Sequence, residues 1–182
     1  MDKGFTNASL RVICKNSRVT TGALYKRYKS KDELFEAVVK ETTDAINDIF
    51  NAPFELPKFE EDNKGKNLTW FNEAKLLDSV MEFIYDNYDG FRLLVCCSEG
   101  SRYQDFVHIF VDKSIELMYQ YTTLEGVSIE QNINVTKREL HLMLTTYWNA
   151  IFEPVVHEFE REDAIRYSKT LGMFFDWNCI LR

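Results

Sequence analysis

Residues 9–39, "SLRVICKNSRVTTGALYKRYKSKDELFEAVV", carry the most informative local pattern of the chain. Leu10, Ile13 and Cys14 lie at helical spacing in its first part, and a break in this periodicity follows at residues 17–19. The segment "TTGALYKRY" then predicts one further short helix. Two short helices joined by a tight turn form an arrangement that fits the major groove of duplex DNA.

The second of these helices carries small and polar side chains beside lysine and arginine. Because the major groove is only ~12 Å wide, small side chains at the start of a helix let its backbone approach the base edges. Basic side chains around the helix would then meet the phosphates. The pattern therefore predicts a DNA-reading helix.

The distribution of charge supports the same interpretation. Residues 1–31 contain eight basic residues and one acidic residue, which gives a net charge of +7. The remaining 151 residues contain 14 basic and 28 acidic residues, which gives −14 and brings the whole chain to −7. A basic head on an acidic body attracts phosphate groups locally and repels them elsewhere.

This segment resembles the DNA-binding signature of the TetR family of transcriptional regulators. That signature contains a Gly-x-Leu-Tyr recognition helix, then an aromatic residue, then a Lys-Ser-Lys-Glu-Glu-Leu run. The resemblance covers roughly residues 4–40. The positions that match directly or by close chemistry are Ile13, Val19, Gly22, Leu24, Tyr25, Tyr28, Lys29, Ser30, Lys31, Glu33, Leu34 and Phe35.

The sequence also departs from the family pattern. Cys14 stands at a position where the family usually has alanine, and Arg18 stands where the turn usually has glycine. Glycine adopts positive φ freely, whereas arginine does not. In addition, "MDKGF" aligns with the end of the family's first helix, so we expect most of that helix to be absent from this sequence. Either the true start lies upstream, or the protein is shortened and its DNA binding is compromised.

The resemblance implies roles for individual residues. Leu24 and Tyr28 would hold the head together, and Lys31 would contact a phosphate at the start of the next helix. For Tyr25, simple packing remains an alternative to DNA contact. The residues implied to contact DNA are Thr20, Thr21, Gly22, Ala23, Tyr25, Lys26, Arg27 and Lys31.

The rest of the chain predicts helices and no strand, so the fold class is all-α. Ser30 and Thr136 are predicted helix N-caps, the latter in a capping box with Glu139. Gly90 and Gly100 are predicted to mark boundaries between elements. We expect a helix-turn-helix DNA-binding domain at residues 1–47 and a helical effector-binding and dimerisation domain at residues 48–182.

The last two predicted helices are apolar on more than one side, which indicates burial against a second copy of the chain. We therefore expect a homodimer held by residues from about Thr136 to Trp177, sensitive to charge at Leu171 or Phe174. A thick monomer core is the alternative. The apolar residues off the main stripes are Leu142, Met143, Phe152, Met173 and Phe174.

No catalytic, metal or cofactor motif is recognisable, and we do not expect an enzyme. The histidines His108, His141 and His157 stand apart in sequence, and the four cysteines are interpreted as buried thiols. The chain shows neither an apolar run long enough to span a bilayer nor a signal peptide, which predicts a cytoplasmic protein with no membrane partner.

These observations predict a ligand-responsive transcriptional regulator, by family habit a repressor that binds double-stranded operator DNA as a homodimer. An unknown small-molecule effector would bind among aromatic side chains of the body, in a cavity of a few hundred Å³. The alternative is a helical dimer that has lost DNA binding and acts as an effector-binding or interaction module. The candidate effector-contacting residues are Tyr85, Phe110, Tyr147 and Trp148, each of which fits an ordinary core equally well.

Overall fold

The structure, a computed structural model, describes residues 4–51, 74–124 and 136–175. Every regular element in these ranges is a helix, which confirms the all-α class. In chain order the nine helices of the described ranges are α1 (Gly4–Asn7), α2 (Leu10–Asn16), α3 (Thr21–Arg27), α4 (Lys31–Asn51), α5 (Ala74–Asp86), α6 (Tyr88–Cys96), α7 (Phe106–Leu124), α8 (Lys137–Val156) and α9 (Arg161–Phe174).

Helix α4 begins as the sequence predicts and runs without a break from the head into the body. The Ser30 hydroxyl accepts the backbone N–H of Glu33 at 3.1 Å, which satisfies one donor of the first turn. The predicted boundary at residue 47 lies within this helix. The buried stripe of α4 is Phe35, Val39, Thr42 and Ile46.

Two apolar residues of α4 lie on the outside of the helix, although their spacing with Leu34, Phe35 and Val39 predicts one apolar stripe. Val38 is 57 % exposed and Ile49 is 52 % exposed. Their spacing fits a helix, but the buried face is centred on Val39 instead, because α4 packs mainly against α6 and α7. Periodicity showed that an amphipathic helix forms here, and the packing partners decide which residues it buries.

Helices α5 and α6 are separated at Asn87, where the sequence predicts one continuous apolar pattern from Leu76 to Tyr88. The predicted boundary at Gly90 is wrong: Gly90 lies in the first turn of α6 and is buried. It faces Thr42 of α4, and a Cβ added at Gly90 would lie only 1.8 Å from the Thr42 hydroxyl oxygen. Glycine is present here because the α4 and α6 backbones approach closely.

The core of the described residues lies among α4 to α9. Its largest fully buried side chains include Met81 of α5, Phe91 of α6 and Phe152 of α8. The sequence assigned Phe152 to a second apolar side of its helix, whereas the structure places it in the core, with its ring 6.0 Å from that of Phe91. The aromatic side chains therefore close the centre of the body.

Helix α8 begins with the predicted capping box, in which Thr136 and Glu139 each bond the other's backbone N–H. Pro154 lies in its last turns and cannot donate a backbone hydrogen bond to the carbonyl of Ala150. The hydroxyl of Tyr167 on α9 donates to that carbonyl at 3.1 Å instead. A side chain from the neighbouring helix thus satisfies the acceptor that the proline leaves free.

Two hydrogen bonds and one ion pair with residues 97–102 anchor the head to the body. The backbone N–H of Phe5 donates to the Cys97 carbonyl, and the Thr6 hydroxyl donates to the Glu99 carbonyl, both at 2.7 Å. The Arg102 guanidinium pairs with Glu36 of α4, also at 2.7 Å. Both ends of the head, α1 and the start of α4, are therefore held by the same short segment.

The prediction of buried thiols holds for two of the four cysteines and is wrong for one. Cys14 and Cys97 are buried, whereas Cys96 is exposed on the last turn of α6. The two adjacent residues point to opposite sides because successive helix positions differ by about 100°. Cys179 lies outside the described residues.

Candidate nucleic-acid interface

The turn between α2 and α3 has the geometry of a helix C-terminal cap. The N–H of Val19 donates to the Cys14 carbonyl at 3.0 Å, and the N–H of Arg18 donates to the Lys15 carbonyl at 3.3 Å. These two bonds define a Schellman motif, whose residue after the cap adopts a left-handed conformation and is usually glycine. Arg18 occupies this position with φ 56°.

Helix α3 lies on the surface of the head, with none of its residues buried. Thr20 caps its N-terminus, where the hydroxyl accepts the N–H of Ala23 at 3.1 Å. Leu24 and Tyr28 are half-buried toward the head, in agreement with the packing role that the resemblance implies. The residues predicted to contact DNA that lie on α3 are all exposed: Thr21, Gly22, Ala23, Tyr25, Lys26 and Arg27.

Tyr25 and Gly22 lie on the same side of α3, since residues three apart are neighbours on a helix surface. The Tyr25 side chain is 54 % exposed, so about half of its surface is available for contact with another molecule. Apart from the neighbouring backbone of α3 itself, no atom of the described residues lies within 4 Å of the position that a Cβ on Gly22 would occupy. This side of α3 is therefore free to meet another molecule.

Ion pairs with carboxylates are frequent among the described basic residues of the body, although Lys113, Lys137 and Arg138 form none. Within the described ranges, six exposed basic residues of the head form no ion pair, whereas body residues such as Arg102 and Arg161 pair with carboxylates. The Arg27 guanidinium lies over the Tyr28 ring at 5.6 Å. The six residues are Arg11, Lys15, Arg18, Lys26, Arg27 and Lys29.

Lys31 lies elsewhere than the other predicted DNA contacts. Its ammonium donates to the Thr6 carbonyl at 3.1 Å and lies 4.6 Å from the centre of the Phe5 ring. It is half-buried and joins α1 to the start of α4. A phosphate contact at Lys31 stays a prediction, and the structure adds a role in holding the head together.

Three of the four candidate effector-contacting residues are brought together in the body. The rings of Phe110 and Trp148 lie 4.5 Å apart, and those of Tyr147 and Trp148 lie 6.0 Å apart. Burial raises the pKa of the Tyr147 hydroxyl. Tyr85 lies apart from this cluster, where its hydroxyl donates to the Phe159 carbonyl at 2.7 Å. The enclosed cavity expected in the body stays a prediction.

A groove of about 600 Å³ opens between the head and α6. It lies between α1, α2, α3, α4 and α6, and most of its lining is apolar, including the exposed side chains of Val12, Val19 and Val38. Lys31 borders it. The groove explains why Val38 belongs to the apolar pattern of α4 without belonging to its buried stripe.

The sequence did not predict that His108 and His141 lie side by side. The rings of His108 on α7 and His141 on α8 lie parallel with their centres 6.4 Å apart, and His141 Nδ1 lies 3.2 Å from a carboxylate oxygen of Asp112. Only the packing of α7 on α8 brings them together.

Across the described ranges no group of three or more His, Cys, Asp or Glu side chains is placed to hold a metal ion. Among the described helices, none combines the length and apolarity that crossing a membrane requires.

The capped turn and the exposed second helix define a helix-turn-helix protein. Residues 1–38 match the family described as "Bacterial regulatory proteins, tetR family", so the N-terminal part of this chain is a tetR-family helix-turn-helix domain. This domain supports a transcriptional regulator of that family. No curated protein matches the chain significantly.

Proposed function

We propose that this protein is a transcriptional repressor that binds operator DNA as a homodimer and is released by a small-molecule effector. The observation that carries the proposal is the surface of α3. It buries none of its residues and lies among basic side chains that are unpaired within the described ranges. Cations without protein partners are available to replace the counterions of DNA phosphates, which drives binding.

Gly22 supports direct contact between α3 and DNA. Glycine within a helix costs roughly 0.5–1 kcal/mol relative to alanine. Nothing in the free protein requires it, because a Cβ at this position would meet open space. A groove wall that comes close to the helix backbone would explain why the smallest side chain stands there.

The first test measures the salt dependence of DNA binding by the double variant Lys26→Gln/Arg27→Gln. Loss of two phosphate contacts in each of the two heads should flatten the slope of log affinity against log salt concentration by about 3.6. The matched control is Lys137→Gln/Arg138→Gln, because it removes an adjacent Lys-Arg pair from the exposed start of α8. The probes are a mixed-sequence duplex and a duplex enriched from a random pool. Equal slopes for both double variants would contradict the proposal.

The second test is Gly22→Ala, for which we expect opposite effects on folding and binding. The free energy of unfolding should rise by about 0.5–1 kcal/mol because alanine favours the helix. Affinity for the enriched duplex should fall about tenfold, since the methyl group would separate the helix from the base edges. If the variant is more stable and binds the enriched duplex as tightly as the original protein does, α3 is not the helix that contacts the base edges.

Dimer formation and effector response complete the proposal. Two heads that read successive major grooves would lie about one turn of DNA apart, ~34 Å. An effector that binds the body more tightly in another arrangement of the heads would release the DNA. A regulator of this kind works where DNA is present, so we propose a cytoplasmic location.

A further inference from the structure

The groove between the head and α6 is large enough to hold a small molecule. Its volume of about 600 Å³ lies within the range of roughly 300–1,000 Å³ that is usual for ligand pockets. Three valines from different parts of the head line it: Val12 of α2 is 50 % exposed, Val19 of the turn 44 % and Val38 of α4 57 %. Single exposed apolar residues are ordinary on a protein surface, whereas several that share one groove indicate a binding site.

The groove has a closed floor that the fold holds in place. Phe5 of α1 and Phe35 of α4 both line the groove, yet each residue is only 9 % exposed, and their rings meet edge to face with the centres 5.4 Å apart. The hydrogen bond from the Phe5 N–H to the Cys97 carbonyl fixes this side of the floor to the end of α6. An apolar ligand would therefore meet a preformed surface, which lowers the cost of binding.

Lys31 is the one charged residue among the described residues that line the groove. It is half-buried, and its ammonium lies 4.6 Å from the centre of the Phe5 ring, which forms part of the floor. A lysine ammonium has three donors, and one of them bonds the Thr6 carbonyl. Two donors therefore remain for a ligand.

The charge of Lys31 is not balanced by a carboxylate within the described ranges. Asp32 and Glu33 follow it in the chain, but their carboxylates accept backbone N–H groups instead, at 3.2 Å and 2.6 Å. A partly desolvated cation without an opposite charge nearby favours a bound anion. The groove thus combines an apolar surface with one site for a negative charge.

We propose that this groove binds an apolar monocarboxylate, whose carboxylate pairs with the Lys31 ammonium and whose hydrocarbon chain covers the floor and the three valines. The site is separate from the aromatic cluster of the body, and the inference does not rest on the proposed function. A molecule bound here would contact α1 to α4 and α6 at once. It would therefore stabilise one position of the head relative to α6.

The test compares two probes with the same hydrocarbon chain, decanoate and 1-decanol, of which only the first carries a charge. Both are titrated calorimetrically into the full chain at low salt, below the concentrations at which they self-associate. We expect decanoate to bind about tenfold more tightly, since an ion pair in a partly buried site is screened less than an exposed one. Equal affinities for the two probes would overturn the proposal.

Matched variants locate the site. Lys31→Met should abolish the preference for decanoate and change the affinity for 1-decanol less than about twofold, whereas Lys29→Met, an exposed lysine outside the groove, should keep the preference. Val38→Asn should weaken both probes. Ile49→Asn, which replaces a similarly exposed residue of α4 outside the groove, should weaken neither. Loss of the preference in both lysine variants would contradict a site at Lys31.

A measurement on the original protein does not depend on how Lys31→Met folds. The methyl signals of 13C-labelled valine are assigned with Val12→Ala, Val19→Ala and Val38→Ala. Decanoate should shift these three sets of signals together, while those of Val156, which is 46 % exposed on α8 outside the groove, should stay in place. If the three sets stay in place, or if dilution of the protein alone moves them because a second copy covers the groove, the proposal is wrong.

Discussion

Arg18 is the residue whose backbone conformation is least suited to its side chain. It occupies the position after the α2 cap with φ 56°, where a side chain crowds the backbone. The two hydrogen bonds of the Schellman motif hold it there. The same arrangement ends α8, where Glu158 has φ 54° and its carboxylate pairs with Arg92. Arg18 has no such partner among the described residues, so its conformation is not compensated by an ion pair.

We therefore expect Arg18→Gly to raise the free energy of unfolding by about 1 kcal/mol, because glycine adopts this conformation without strain. Urea denaturation followed by circular dichroism provides the measurement. Ser17→Gly is the matched control: its φ of −83° suits any residue, so glycine there should stabilise nothing. A gain of similar size at both positions would show that the left-handed conformation is not the cause.

At the scale of helices, α4 and α6 come so close at Gly90 that no side chain fits between them. A Cβ on Gly90 would lie 2.6 Å from Thr42 Cβ as well as 1.8 Å from its hydroxyl oxygen, distances that real contacts do not show. The Thr42 side chain and a methyl group added at Gly90 would have no room to turn away, because both positions are buried. The two helices would have to separate to admit a methyl group.

For this reason Gly90→Ala should lower the free energy of unfolding by about 1–3 kcal/mol, the usual cost of overpacking a core. Thermal and urea unfolding check this value. Gly22→Ala serves as the comparison, since it makes the same chemical change in open space and is expected to stabilise. If Gly90→Ala unfolds like the original protein, the close approach of α4 and α6 described above is incorrect.

The helices themselves could be predicted from local sequence, but the contacts between them could not. The capping box of Thr136 and Glu139 was predictable because both partners lie within one turn of α8. The role of Gly90 was not, since a glycine that ends a helix and a glycine that admits a neighbouring helix look alike in sequence. The pairing of His108 with His141 likewise depends on how α7 packs on α8.

Helix α3 and the turn before it were predictable for a different reason. Residues 9–39 carry a dense local motif that predicts two short helices joined by a tight turn. Lys31 shows the limit of this reasoning, because its bond to the Thr6 carbonyl joins positions 25 residues apart. Motif spacing contains no information about that contact.

For the whole molecule, the exposed apolar residues of the last two helices decide the assembly that we expect. Phe174 is 81 % exposed and Met173 is 77 % exposed, and Leu142 on the neighbouring α8 is 60 % exposed. Large apolar side chains in water favour association, which supports the homodimer of the proposed function. Leu171, in contrast, is buried within the subunit, so Leu171→Glu would disturb folding rather than assembly alone.

Phe174→Glu is accordingly the sharper test of assembly. We expect light scattering to show a dimer for the original protein at micromolar concentration and a monomer for the variant, with an unchanged circular dichroism spectrum. Ile109→Glu on α7, which is 49 % exposed, is the control and should stay dimeric. A stable monomer of the original protein at this concentration would remove the homodimer from the proposal.

The fastening of α1 to residues 97–102 has a consequence for the order in which the protein acquires its structure during synthesis. The Thr6 hydroxyl bonds a carbonyl 93 positions later in the chain. At roughly 5–20 residues per second, the ribosome needs several seconds to release that partner. The head therefore emerges first but reaches its final anchorage only after α6 and the turn that follows it have emerged, so the position of the head depends on synthesis of much of the body.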